Sequence, residues 1–127
     1  MRILHTMLRV TNLRASIDFY TNIFGMDLLR QKEFPEAKFT LAFLGYGDES
    51  SNTVLELTYN WETDSYDMGN AYGHLGIAVD DAYKSCDEIT AKGGTVVRPA
   101  GPMMNSGTVI AFVKDPDGYM IELIQRD

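Results

Sequence analysis

The feature that most constrains this chain is that it is written twice. Displaced along itself by 69 positions (74 − 5), His5 falls on His74, Val10 on Val79, Gly25 on Gly94 and Phe43 on Phe112. Phe43 lies inside Leu41-Ala-Phe-Leu44, which lands on Ile110-Ala-Phe-Val113. Beyond this point the displacement drops to 66 (122 − 56), and Leu55-Glu-Leu57 lands on Ile121-Glu-Leu123. The three lost residues belong to a turn, where a deletion disturbs least. One structural unit is therefore used twice.

The repeat also doubles chemistry. The only two histidines, His5 and His74, are repeat mates, and so are Glu56 and Glu122. A lone histidine in a strand is most often a packed or solvated residue. A glutamate inside an apolar triplet is less ordinary, because carboxylates are seldom buried unpaired. Two histidines and two glutamates at matching positions make a 2-His-2-carboxylate metal set. Imidazole and carboxylate donors together suit a borderline divalent ion such as Ni, Co, Zn, Fe or Mn.

Periodicity sets the elements. Residues 3–10 alternate, with His5, Met7 and Arg9 on one face and Leu4, Thr6, Leu8 and Val10 on the other, a strand pattern. Asn12 is placed to cap a helix carrying Leu13, Ile17, Tyr20 and Phe24, and Gly25 is placed to end it. Strands are expected at about 26–33, 38–45 and 53–59, with Phe34-Pro-Glu-Ala37 as a turn. The polar stretch 61–72 connects the halves. A second unit then follows: a strand at 73–79, a helix capped by Asp80 or Asp81 and stopped by Gly93-Gly94, and strands at about 95–98, 107–114 and 119–125. Asp115-Pro-Asp-Gly118 is the tight turn before the last strand. The expectation is an α+β fold: tandem βαβββ units (about 1–60 and 72–127) forming a curved mixed sheet cup as a single domain over 1–127. Alternation puts Glu56 on a face with Val54, Thr58 and Asn60, and Glu122 with Met120 and Ile124. His74 shares its face with Gly76 and Ala78, which leave room for a ligand.

Composition narrows the partners. A chain of 127 residues with a formal charge of −7 suits one domain, and the acidic balance speaks against nucleic acid or an anionic membrane. No apolar run approaches the roughly 18 residues of a membrane span, and no signal peptide is evident in Met1-Arg-Ile-Leu-His5. The one cysteine, Cys86, cannot form an internal disulfide and falls on a helix's predicted inner face, where it reads as packing rather than as a nucleophile. A cytoplasmic location is the expectation.

The stretches LHTMLRV (4–10), SIDFYTNIFGM (16–26), LAFLGYG (41–47), VLELTYNW (54–61), AYGHLGIAV (71–79) and IAFVKDPDGYMIEL (110–123) together resemble the glyoxalase I family of the vicinal oxygen chelate superfamily. The resemblance covers essentially the whole chain. It implies lactoylglutathione lyase activity: isomerisation of the methylglyoxal–glutathione hemithioacetal to S-lactoylglutathione, a methylglyoxal detoxification. By match to the family's motifs, His5, Glu56, His74 and Glu122 would hold the metal, and Arg9, Asn60 and His74 would bind the substrate, the first two at its glutathione part. The short chain with His as first ligand is similar to the bacterial nickel/cobalt branch, so Ni²⁺ is expected first, Co²⁺ next and Zn²⁺ last. The resemblance also implies a homodimer with active sites shared between chains. The sequence departs from the family where a basic residue often meets a glutathione carboxylate. Asn70 and Met103-Met104-Asn105 stand there, and Lys38 is a candidate carboxylate partner at another edge.

These residue types suit the reaction. Moving a proton from C1 to C2 through an enediolate requires stabilisation of two adjacent oxygens, which a divalent Lewis acid supplies. A carboxylate must take the proton, and Glu122 is the expected base, with Glu56 acting on the other face. Met7 and its apolar neighbours would exclude water. Alternatives remain: another metal-dependent enzyme of the superfamily, an epimerase or thiol transferase, or a metal-free drug-binding module of the same fold. Related dioxygenases and fosfomycin-modifying transferases typically use two His and one Glu. Glu56 adds a fourth ligand here, which favours the isomerase, whereas drug-binding modules typically lack the metal set.

Overall fold

The computed structural model describes residues 1–126. Two compact units divide the chain, Met1–Asp67 and Met68–Asp127, so the boundary lies inside the polar stretch 61–72. No helix among the described residues is long and apolar enough to cross a membrane.

The first unit runs β1 (His5–Arg9), α1 (Leu13–Asp18), a π-helical turn (Phe19–Ile23), β2 (Asp27–Phe34), β3 (Phe39–Gly45) and β4 (Val54–Asn60). Its sheet has the order β1-β4-β3-β2, with β1 parallel to β4 and the other pairs antiparallel. The second unit runs β5 (His74–Val79), α2 (Ala82–Ala91), β6 (Thr95–Pro102), β7 (Val109–Lys114) and β8 (Met120–Gln125). Its order is β5-β8-β7-β6, with the same directions. Two mixed four-stranded sheets with few helices make the α+β architecture that the repeat predicts.

The correspondence extends to the caps. Asn12 and Asp81, again 69 positions apart (81 − 12), both accept from a helical amide at 3.0 Å, that of Ala15 and that of Lys84. Such a side chain satisfies one of the amides a helix start leaves without an intrahelical partner. The three-residue difference between copies is visible as well. The β3–β4 connection spans 46–53, whereas the β7–β8 connection spans only 115–119. The shorter one is closed by Asp115, whose carboxylate accepts from the amides of Asp117 and Tyr119, both at 2.9 Å. Gly118 there has φ +95°, a conformation that side chains disfavour.

Strand alternation then aims the glutamates. Leu55 and Leu57 are buried on either side of Glu56, and Ile121 and Leu123 on either side of Glu122. Each such side chain contributes about 1.5–3 kcal/mol by leaving water. A one-residue slip would expose them all, so the register is fixed and the carboxylates face the other way.

Two elements differ from the expectation. The single helix over 13–24 is instead α1 followed by a π-helical turn. The buried residues are Ser16, Phe19 and Tyr20, while Leu13 and Ile17 are only partly covered. The wider turn lets the consecutive aromatics Phe19 and Tyr20 both enter the core, where they meet edge to face at 5.0 Å. The Thr21 hydroxyl donates to the Ile17 carbonyl at 2.8 Å, a local bond that competes with the regular helical ladder. Strand β6 continues past residue 98 through Pro99 to Pro102. It is the edge strand of its sheet, and its register shifts between Val96 and Arg98 and again between Arg98 and Gly101. Proline is tolerated at such edges and bulges.

Candidate metal centre

In the first unit, β1 and β4 are neighbours, with Met7 opposite Glu56 and His5 opposite Val54. This diagonal offset brings His5 Nε2 to 3.1 Å from Glu56 Oε1. In the second unit β5 and β8 do the same: Gly76 lies opposite Glu122, and His74 Nε2 stands 3.3 Å from Glu122 Oε1. In both pairs the carboxylate is nearly withdrawn from water, at 12% and 15% exposure, while the imidazole is at 39% and 42%. A carboxylate so enclosed needs a cationic partner, and the histidine beside it leaves an accessible side.

Each imidazole also rests against an aromatic ring. His5 meets Phe43 at 5.9 Å and 78°, and His74 meets Phe112 at 5.3 Å and 79°. Phe43 and Phe112 lie opposite Glu56 and Glu122 in the ladders. The sequence comparison paired these rings as repeat mates without attaching them to the site.

The donor set suits a divalent ion. Bonds of about 2.0–2.2 Å put adjacent donors about 2.8–3.1 Å apart in an octahedron and about 3.3–3.6 Å apart in a tetrahedron. The two separations, 3.1 and 3.3 Å, are compatible with neighbouring ligands on one ion and equally with a His–carboxylate ion pair. Taken singly, each unit supplies only two donors, and no cluster of three or more His, Cys, Asp or Glu able to hold a metal is assembled among the described residues.

Of the remaining predicted residues, Arg9, Asn60 and Lys38 belong to the first unit. Arg9 lies exposed at the end of β1, opposite Thr58. Asn60, two residues further along β4, donates from Nδ2 to the Tyr66 hydroxyl at 3.0 Å. The tyrosine partner was not foreseen. Met7 is 37% exposed beside Glu56, and its repeat counterpart Gly76 leaves open the space beside Glu122, where an added Cβ would meet only Ile124 at 3.4 Å. Lys38 sits exposed in the β2–β3 turn with φ +56°. Met104 is exposed in the loop before β7. Cys86 is buried on α2, where burial raises its thiol above the usual range.

Arg30 and Glu49 are further neighbours that the sequence reading passed over. The guanidinium of Arg30 lies 3.7 Å above the Phe43 ring. Both its Nε and one terminal nitrogen donate to Glu49, at 2.7 and 3.2 Å. The hydrogen bond holds the Glu49 carboxyl below and the Arg30 guanidinium above their ordinary pKa ranges.

With the fold and the two His–Glu pairs described, comparison with known proteins defines the class. Residues 2–123 match the Glyoxalase/Bleomycin resistance protein/Dioxygenase superfamily, and the chain belongs to it. More particularly, the chain is 64% identical over 126 residues to the lactoylglutathione lyase of Neisseria meningitidis, covering 99% of this chain and 91% of that one. Glyoxalase I from Zea mays matches 98% of the chain with a TM-score of 0.96 and 52% identity, and the chain spans 44% of the maize chain's length. The trypanothione-dependent glyoxalase I of Leishmania major matches with a TM-score of 0.87 at 47% identity, over 98% of this chain and 86% of that one.

Proposed function

We infer that this chain is a lactoylglutathione lyase. It isomerises the hemithioacetal of methylglyoxal and a thiol, with glutathione the first candidate, to the 2-hydroxyacyl thioester, and so detoxifies methylglyoxal in the cytoplasm. The observation that carries the metal-dependent reading is the repeated His–Glu pair, with nearly equal geometry in the two units. The relationship to the meningococcal lyase supports the choice of substrate.

His5, Glu56, His74 and Glu122 would hold a divalent ion, which when bound supplies Lewis-acid stabilisation to two adjacent substrate oxygens. Glu122 removes the C1 proton, the electron pair moves through the enediolate, and a proton returns to C2. The product is an isomer of the substrate, with no atom gained or lost. Glu56 is the corresponding base for the opposite substrate face. The low exposure of both carboxylates suits a proton carried between two carbons rather than released to water. Arg9 and Asn60 hold the thiol's polar groups, at the end of β1 and β4 away from His5. Because each unit supplies half of the ligand set, the reading includes a homodimer in which His5 and Glu56 of one chain complete a site with the second-unit pair of its partner.

The nitrogen–oxygen donor set and the His at the first ligand position favour nickel or cobalt over zinc. The thiol is more open. Asn70 and Met103-Met104-Asn105 offer no cation to a second carboxylate, and the trypanothione-dependent relative illustrates that this fold serves more than one thiol. Absorbance at the thioester band, followed with methylglyoxal, several thiols and metal-stripped protein given Ni²⁺, Co²⁺ or Zn²⁺, tests the reading. Thioester should appear on adding nickel or cobalt and remain far slower with zinc. No thioester with any metal or thiol would refute the assignment, and best activity with zinc would refute the metal preference.

A further inference from the structure

A row of side chains crosses one face of the first unit's sheet. Met7, Glu56, Phe43 and Arg30 occupy successive paired positions on β1, β4, β3 and β2. The second unit has the same row as Gly76, Glu122, Phe112 and Arg98. The rows diverge at their last member. Arg98 turns to backbone, donating to the carbonyls of Pro99, Gly101, Pro102 and Ile110 at 2.9–3.2 Å. Arg30 instead stacks on Phe43 and is gripped in two places by Glu49.

The divergence goes with a difference in length between the copies. Glu49 sits in the 46–53 connection, the one with three residues more than its counterpart at 115–119. That loop is fastened to the start of the chain as well. Arg2 donates to the Glu49 carbonyl at 2.7 Å, and the Thr53 hydroxyl donates to the Ile3 carbonyl at 2.6 Å, just ahead of His5.

We propose that Arg30 and Glu49 form a clamp that positions His5: the guanidinium, fixed by Glu49, holds the Phe43 ring, and the ring fixes the imidazole plane. His74 has the ring of Phe112 but no such clamp, so the two half-sites are not mechanically equal. A planar guanidinium held at two points is well suited to this, because its face can lie on a ring while two of its edge nitrogens donate to the carboxylate. The consequence for metal binding rests on the metal-dependent reading above; the clamp itself does not.

With only two histidines in the chain, imidazole NMR reads each ring separately. In the metal-free protein, Arg30→Leu should shift the ring signals of His5 and reduce their order, leaving those of His74 in place. Glu49→Gln should give the same signature more weakly. Arg30→Lys, which keeps the charge but not the flat, two-point geometry, should fail to restore the His5 signals. In competition with a chromogenic chelator, Ni²⁺ affinity should fall by roughly threefold to tenfold in Arg30→Leu, less than for loss of a direct ligand partner. Unchanged His5 signals in Arg30→Leu would overturn the proposal. So would equal changes at both histidines, which would mark a global loss of structure, or full restoration by lysine, which would mark charge alone. The ring signatures are read without metal or substrate, so a chain that failed to isomerise the hemithioacetal would still leave the clamp tested.

Discussion

At the scale of single residues, the two glutamates have nearly identical surroundings yet carry different assignments. Glu122 stands beside Gly76, with space open at its side, whereas Glu56 stands beside Met7. Glu122→Gln keeps the shape and removes the proton acceptor. Turnover should fall by at least about a thousandfold under metal saturation, measured as the initial rate of thioester formation. A rate within tenfold of the unvaried chain would remove Glu122 as base. Arg9→Ala should lower kcat/KM for the glutathione adduct by roughly tenfold to a hundredfold, the worth of a charge-assisted pair. Metal affinity should stay within about twofold, since Arg9 lies two strand positions beyond Met7 and outside the His–Glu pair. An unchanged kcat/KM would contradict the placement. The His and Glu candidates were legible because the repeat marked them: an isolated His or Glu carries little information, but its recurrence at a matching position does, whereas Arg9, whose repeat mate is Ala78, rested on the family resemblance alone. Arg30 and Glu49 carried no such mark. They are 19 residues apart on a strand and in a polar loop, Arg98 in Arg30's place turns to backbone carbonyls, and Glu49 sits where the two copies differ in length.

At the scale of elements, the strands carrying the two glutamates were readable because burial is one-sided. Leu–Glu–Leu and Ile–Glu–Leu declare both the strand and the face. The π-helical turn was not readable, because two consecutive aromatics in a helical pattern fix the need for burial without fixing the pitch that achieves it. The extension of β6 through two prolines was hidden for a similar reason, since an edge position is a tertiary fact. The Asp115 turn was visible in sequence, and its strength can be tested. Asp115 is 5% exposed and satisfies two amides, one of them buried. Asp115→Ala should therefore destabilise the fold by about 2–3 kcal/mol, seen as a lower midpoint in urea with an unchanged slope. A loss under about 0.5 kcal/mol would mean that water takes the carboxylate's place. Since this turn leads directly into β8, the variant should also bind metal more weakly through Glu122.

At the scale of the whole molecule, each unit holds one of the two His–Glu pairs. If complete sites combine the first-unit pair of one chain with the second-unit pair of another, inactive His5→Ala and His74→Ala chains should complement. After subunit exchange about half the dimers are mixed, and each mixed dimer has a site free of lesions, so roughly a quarter of full activity should return. No return after demonstrated exchange would exclude sharing between chains.

Whether the two His–Glu pairs serve a single ion is decided by metal stoichiometry. Nickel titrated calorimetrically into the metal-stripped protein should bind as one ion per chain. His5→Ala and His74→Ala should each abolish that tight event, although each leaves the other pair untouched. Two ions per chain, or a variant that loses one binding event and keeps the other, would mean that the pairs are separate sites.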